Sequence, residues 1–464
     1  MNPSMKSHDM TTTNPRNHPT SYRHKLNAAL TACALVFALT IIAPGPALAQ
    51  TYSVIHEFTG GPLGANPVAG MVMDRAGNLY GTTFTGGAGT CPAIGISASG
   101  CGTVFEFSPS TGRFTVLYRF TGGTDGAYPQ APLLIAPDGT LYGSTVEGGI
   151  QSCTGNYGLP GCGVVFHLQP RPTPPPNATA NPWLETPIYS FSGLDGNGPL
   201  GDLAMDQSGN IYGSTVIGGL HSYCCGVAFK LTPSNGVWSE STLHQFSGGN
   251  DGVSPYGVTL DPAGNVYGTT FQGGNDSRGI AYQLLAGSGW MENQLYSFTG
   301  GSDGGEPVSG VTFDSSGNLY GSTFTGGSGG VGTVFELSSG SWAFQLLYAF
   351  TQNGSDGGGP FLSDLVLDQA GNVYGTTEYD GAVGGGSVFK LTPSMGGYTY
   401  TSLHDFCTEN PCPDGLSPTG TLVRDSSGNL YGTTQLGGAN SGVCSGSPFG
   451  MPFGVCGVIF KITP

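Results

Sequence analysis

Past residue 50 the chain runs as short apolar stretches cut by Gly, Pro, Asp and Ser turns, the punctuation of strands and hairpins rather than helices. One marker, Gly-Asn-Leu-Tyr-Gly-Thr-Thr or a close variant, recurs with its Tyr at Tyr80, Tyr142, Tyr212, Tyr267, Tyr320, Tyr374 and Tyr431. These seven copies stand 62, 70, 55, 53, 54 and 57 residues apart. Each copy reads as four strands. The first enters a tight turn, as at Gly257 to Asn265, where Gly264 takes positive φ at little cost and Asp261 bonds the turn's own backbone. The second is the marker itself. The third is Gly-Thr-Val-Phe-Glu-Leu at 332–337 and its equivalents, and the fourth is typified by Trp342 to Phe350. Clean polar/apolar alternation is missing, as expected of a sheet buried on both faces between neighbours. Four strands per unit, repeated radially, describe propeller blades.

The two ends of this array fit each other. The last copy stops at its third strand, Gly457 to Pro464, while Thr51 to Phe58 matches the fourth-strand pattern seen at Leu243-His244-Gln245-Phe246 and Leu403-His404-Asp405-Phe406. Pairing them closes a ring and removes exposed sheet edges. The prediction is an all-β, seven-bladed β-propeller of four-stranded antiparallel blades, closed by the N-terminal strand completing the last blade, with an open solenoid as the alternative. In such a ring, second-to-third loops and the crossings between blades share one face. That face carries the variable loops, including 87–102 and 438–457, and is where binding is expected.

Composition agrees with a turn-rich fold: 82 Gly and 33 Pro among 464 residues, about twice the usual share. With 38% hydrophobic and only 9% charged residues, the chain has ample apolar surface for a core. A net charge of −16 argues against nucleic acid and anionic membranes as partners. The N-terminus reads as an address. Arg23-His24-Lys25 precedes an apolar run to Ala43, and Ala47-Leu48-Ala49 is a small-x-small cleavage pattern, giving a signal peptide over 1–49 and one propeller domain over 50–464. No other stretch is long and apolar enough to span a bilayer, so a secreted or periplasmic protein is expected.

At the marker, at Gly-Thr-Val-Phe and at the Leu-His-x-Phe strand ends, the sequence resembles the GloVer-repeat family of secreted bacterial proteins, also met as choice-of-anchor tandem repeats. The resemblance covers nearly everything after residue 50. It implies an exported repeat scaffold, since the family is defined by its repeat rather than by an activity. Some members look as though they carry a C-terminal anchor, and this chain ends at Pro464 without one, which favours a soluble form.

Cysteines point to the loop face. Setting aside Cys33 in the leader leaves ten, an even number in an exported chain. Cys91 with Cys101, Cys153 with Cys162, and Cys444 with Cys456 each sit within one second-to-third loop, and Cys407 with Cys412 flank a crossing. Cys224 and Cys225 remain, adjacent in sequence, for a vicinal bridge or for other partners. Metal binding by these Cys is disfavoured because no His-rich spacing accompanies them. Asp125, Asp195, Asp251, Asp303, Asp356 and Asp414 precede Gly in six crossings, with Leu63 in the seventh slot. They are either repeated turn formers or a carboxylate ring for sugar hydroxyls or cations. Ca²⁺ is the one cofactor such a ring would suggest, and no EF-hand loop is present. His221, beside Cys224 and Cys225, is a further candidate. Trp183, Trp238, Trp290 and Trp342 recur in register and read as packing residues, as do His56, His244 and His404, which share a slot with Tyr118, Tyr189, Tyr296 and Tyr348.

No Gly-x-Ser-x-Gly, His-Glu-x-x-His or phosphate-loop motif occurs. The leading expectation is therefore a monomeric, non-catalytic module that binds a glycan or an extracellular or envelope protein through its stapled loop face. The alternative is a carbohydrate-active hydrolase or lyase using acids of the same face.

Overall fold

The computed structural model describes residues 50–464 other than 93–98, 156, 174–179, 220–223, 352, 355 and 439–455. Gln50–Pro464 is one compact unit. Its described residues build seven four-stranded antiparallel sheets and one small ribbon, Gly357–Gly358 against Tyr379–Asp380. They contain no α-helix, and no helix among them is long and apolar enough to cross a membrane. In blade 5 the order from the channel outward is Thr312–Phe313, Leu319–Thr323, Thr333–Ser338 and Ala343–Ala349. We number blades 1 to 7 by the marker Tyr each contains.

Most residues of the marker have a visible physical task in blade 1, the exception being Thr82, whose buried hydroxyl has no hydrogen-bond partner. Gly77 turns the inner hairpin at φ 84°. Asp74 accepts the Asn78 backbone N–H at 2.9 Å, the Asn78 amide at 3.0 Å and the Tyr80 hydroxyl at 3.2 Å. Burial raises this carboxyl's pKa, but those hydrogen bonds outweigh it and hold the group below its ordinary value. Leu79 is fully buried. Gly81 leaves room for the third-strand Phe, because a Cβ there would stand 2.6 Å from Phe105 Cζ. Finally, the Thr83 hydroxyl accepts the Thr103 N–H at 3.1 Å and donates to Thr85 O at 2.9 Å, tying the second strand to the third.

Closure of the ring is direct. Thr51–Glu57 pairs antiparallel with Val458–Thr463, Tyr52 opposite Ile462 and Glu57 opposite Val458, and so forms the outer strand of blade 7. Blade 7 then meets blade 1 as every other blade meets its successor. Asn66 N–H donates to Cys456 O at 2.9 Å, and the Thr433 hydroxyl donates to Ala69 O at 3.2 Å. A Cβ on Gly457 would stand 2.8 Å from Pro67 Cδ. The same Gly-against-Pro contact recurs at Gly102/Pro129, Gly163/Pro199, Gly226/Pro255, Gly279/Pro307, Gly332/Pro360 and Gly386/Pro418. Outer seams are riveted by the recurrent Trp: Trp183 lies on Tyr80, Trp238 on Tyr142, Trp290 on Tyr212 and Trp342 on Tyr267, with ring centroids 5.8 to 6.4 Å apart. These indoles bury against the preceding blade's marker Tyr, which supports their reading as packing residues.

Candidate functional site

The crossing aspartates lie one per seam, and each is bonded within its own crossing. Asp125 accepts the Thr121 N–H at 2.8 Å, the Thr121 hydroxyl at 2.5 Å, Gly123 N–H at 3.2 Å and the Tyr118 hydroxyl at 3.1 Å. Asp195 takes the Tyr189 hydroxyl at 2.5 Å and Ser192 N–H at 2.7 Å. Asp303 and Asp356 likewise take the hydroxyls of Tyr296 and Tyr348 at 3.0 and 2.7 Å. His244 Nε2 stands 2.7 Å from Asp251, and His404 Nε2 3.0 Å from Asp414. Tyr and His therefore exchange at this slot because either one can donate to the same carboxylate. Where Leu63 removes the acceptor, His56 Nε2 has no hydrogen-bond partner; burial lowers its pKa from 6.5 to about 4, and the ring stacks on Phe114 at 4.0 Å. Among the described residues no group of three or more His, Cys, Asp or Glu is placed to hold a metal ion. His221 lies outside the described residues.

Cystines join Cys91 to Cys101, Cys153 to Cys162, Cys224 to Cys225 and Cys407 to Cys412. Cys456 is also disulfide-bonded, while Cys444 lies outside the described residues. The vicinal pairing is thus the one adopted by Cys224 and Cys225. Four of these half-cystines share one structural position, just before the third strand. Their carbonyls accept the N–H of the next blade's residue preceding proline: Cys101 from Tyr128, Cys162 from Gly198, Cys225 from Ser254 and Cys456 from Asn66.

What the sequence reading missed is the mouth of the central channel on this face. The loop held by Cys153–Cys162 is gripped from below by Glu147, which is fully buried and accepts N–H bonds from Tyr157 and from Leu159, the latter at 3.2 Å. Burial pushes this carboxyl's pKa up, and those N–H groups offset part of the rise. So held, Tyr157 stays 39% exposed while its ring meets Phe84 and Tyr128 edge-on at 5.9 and 6.1 Å. Its hydroxyl accepts the Gln130 amide at 3.1 Å. Gln130, Tyr256, Leu200, Leu362, Asp202 and Asp364 line a narrow cavity of about 10 Å³, room for a single water. Asp202 and Asp364 meet there from blades 3 and 6. Burial, then the Asp364 charge and hydrogen bond, push the Asp202 carboxyl's pKa well up.

Across the mouth a second aromatic patch forms at blades 5 and 6. Phe324 meets Phe361 edge-on at 5.6 Å and Tyr379 at 6.1 Å. Beside it lies Glu378, half-buried, its carboxyl pKa raised by burial. Burial and the charges of Glu378 and Asp380 in turn raise the pKa of the Tyr379 hydroxyl. The signal for this mouth was present as a failure of repetition. After the marker's second Thr the chain reads Phe84, Val146, Val216, Phe271, Phe324, Glu378 and Gln435. After the crossing Pro it reads Val68, Gln130, Leu200, Tyr256, Val308, Phe361 and Thr419. Several of these side chains are buried, Phe84, Val146, Val68, Leu200, Val308 and Thr419 among them, whereas Gln130, Tyr256, Phe361 and Glu378 are partly exposed, and the repeat does not fix which residue stands there.

Among solved structures the chain is similar to a periplasmic gluconolactonase of Pseudomonas aeruginosa, at 14% identity and TM-score 0.45, covering 75% of this chain and 90% of that one. It is also similar to a gluconolactonase of Xanthomonas campestris, at 12% identity and TM-score 0.39, covering 89% of each. At that distance the likeness carries no argument about chemistry. No curated protein matches the sequence. The Gloeobacter/Verrucomicrobia repeat matches residues 35–257 and 254–464, and the chain belongs to that repeat family.

Proposed function

We propose that this propeller is an exported binding module that recognises a glycan at the channel mouth of its loop face. The observation that carries the reading is Tyr157: a large aromatic ring, 39% exposed, held rigid by a cystine and a buried carboxylate where a flexible loop would let it collapse. Rigid, half-exposed aromatics with a few polar groups beside them suit the apolar faces and hydroxyls of sugars. The Tyr157 hydroxyl, Gln130 and the Phe324–Phe361–Tyr379 patch supply such a surface around one opening. Export rests on the leader pattern over 1–49 and accords with the cystines. The closed ring leaves no terminal blade edge for a second copy to pair with, in keeping with a monomer.

A glycan array probed with the mature protein and with Tyr157→Ala tests this. Retention of at least one glycan is expected, weakened about tenfold or more by the substitution. No retained glycan, or retention indifferent to Tyr157, would overturn the proposal. Retention of an envelope protein in place of any glycan would move the function to protein recognition.

A further inference from the structure

We propose that the glycan taken at this mouth carries protonated amino groups, and that Glu378 receives one of them next to Tyr379. The inference rests on the glycan reading above and adds the ligand's charge.

Glu378 is the reason. It occupies the non-repeating position that Phe84 and Phe324 fill in blades 1 and 5, and it is half-buried. No Lys, Arg or His pairs with it among the described residues. The cation at the 4/5 seam, Arg278, is already bound to Glu306 at 2.6 Å, and the other Glu306 oxygen accepts the Thr325 hydroxyl at 3.2 Å. Elsewhere on this face a carboxylate in a comparable setting has been given donors: Glu147 by its loop, Asp356 by Tyr348 and Thr351. A half-buried carboxylate lacking such donors is left to water and is open to an outside cation. An ammonium meets it by charge and hydrogen bond, next to the Tyr379 hydroxyl whose pKa the Glu378 charge already raises. The wider charge agrees, because 29 acidic against 13 basic residues repel a uronic acid or sulfated chain and attract a cationic one.

The test compares glucosamine oligomers with N-acetylglucosamine oligomers of equal length by titration calorimetry near pH 6, where the free amines are protonated. The expected result is a preference of about tenfold or more for the free amine, falling as salt is added and abolished by Glu378→Gln with residual binding to both oligomers. Equal affinity for both, or a preference that survives Glu378→Gln in a variant with unchanged Tm, overturns the proposal while leaving the glycan reading standing. Should the glycan array retain only other sugars, and these lack amines, the proposal also fails. Absence of binding to every glycan removes the mouth reading and this inference together. A second readout needs no variant: the salt dependence of the wild-type preference, whose absence contradicts an ionic contact.

Discussion

The seams of this ring divide into two kinds. At 1/2, 2/3, 3/4 and 7/1 the carbonyl that receives the next blade belongs to a half-cystine, whereas at 4/5 and 5/6 it belongs to Arg278 and Val331. The hydrogen bond itself barely changes: Tyr128 N–H to Cys101 O is 2.9 Å, and both Glu306 N–H to Arg278 O and Gly359 N–H to Val331 O are 2.7 Å. Cystines therefore do not make the seam. What differs is the loop above it. The tied blades carry second-to-third connections from Thr83 to Thr103 and from Thr145 to Val164, while the untied ones cross from Gln272 to Ile280 and from Thr323 to Thr333. Seam 6/7 is intermediate, since Gly385 leaves room for the Cys407 side chain, to which a Cβ would come within 2.7 Å, and the cystine sits in the crossing instead. The ring is held by backbone and packing that every blade repeats, and the cystines Cys91–Cys101 and Cys153–Cys162 tie long Gly-rich loops that have little core of their own.

The largest effect should come from filling a seam. At Gly332, with φ 105°, a Cβ would stand 2.9 Å from Pro360 Cδ, so Gly332→Ala should cost about 3 kcal/mol or more in urea unfolding. Gly163→Ala, against Pro199 in a tied blade, should cost as much; a much milder loss there would show that the cystine does hold the ring. Removing the tie by replacing Cys153 and Cys162 together with Ser should cost less, on the order of 2 kcal/mol. That double variant should lower glycan affinity more than it lowers Tm, because Tyr157 loses its support.

Acidity separates the outer seams next. Burial, then the Asp125 charge, raise the Glu185 pKa from 4.5 to about 8. Between those values the unfolded chain releases the proton and the folded one keeps it, so stability falls as pH rises through that window and is flat above it. Glu185→Gln should match wild type at pH 4 and exceed it at pH 8 by roughly 1 to 2 kcal/mol. His56 acts oppositely: its pKa falls to about 4 by burial, so the stability of the neutral ring is lost as pH drops from 6.5 to 4, and His56→Phe should remove that acid sensitivity. Melting curves across pH 4 to 9 check both signs. Smallest of all is the Arg278–Glu306 pair, whose Arg side chain is 47% exposed. Arg278→Met should cost under about 1 kcal/mol, and less in high salt.

Fold and site differed in how far they could be read from sequence. Blade number, strand order and closure were legible because the residues that pack seven times are written seven times. Asp74, Asn78, Tyr80, Gly81 and Thr83 each perform one local task that most copies perform again, blade 2 being the exception with Ala136 and Thr140 at the Asp and Asn slots. The exchange of His for Tyr beside the crossing Asp was visible as a pattern but not as a hydrogen bond, since only the fold brings strand and crossing together. The mouth was illegible for the opposite reason. Tyr157, Tyr256, Phe361 and Glu378 come from separate parts of the chain, Tyr256 from the inner strand of blade 4 and the others from three connections, and share nothing in sequence except departure from the repeat.

The central claim is that those departures mark the working surface. Hydrogen–deuterium exchange of the mature protein, with and without its best-retained oligosaccharide, tests it most directly. We expect protection concentrated at 153–162 and at 357–381, with none at the inner hairpins around Asp74 and Asp261 on the opposite face. Protection confined to those hairpins, or to the outer strands carrying the Trp rivets, would contradict the account.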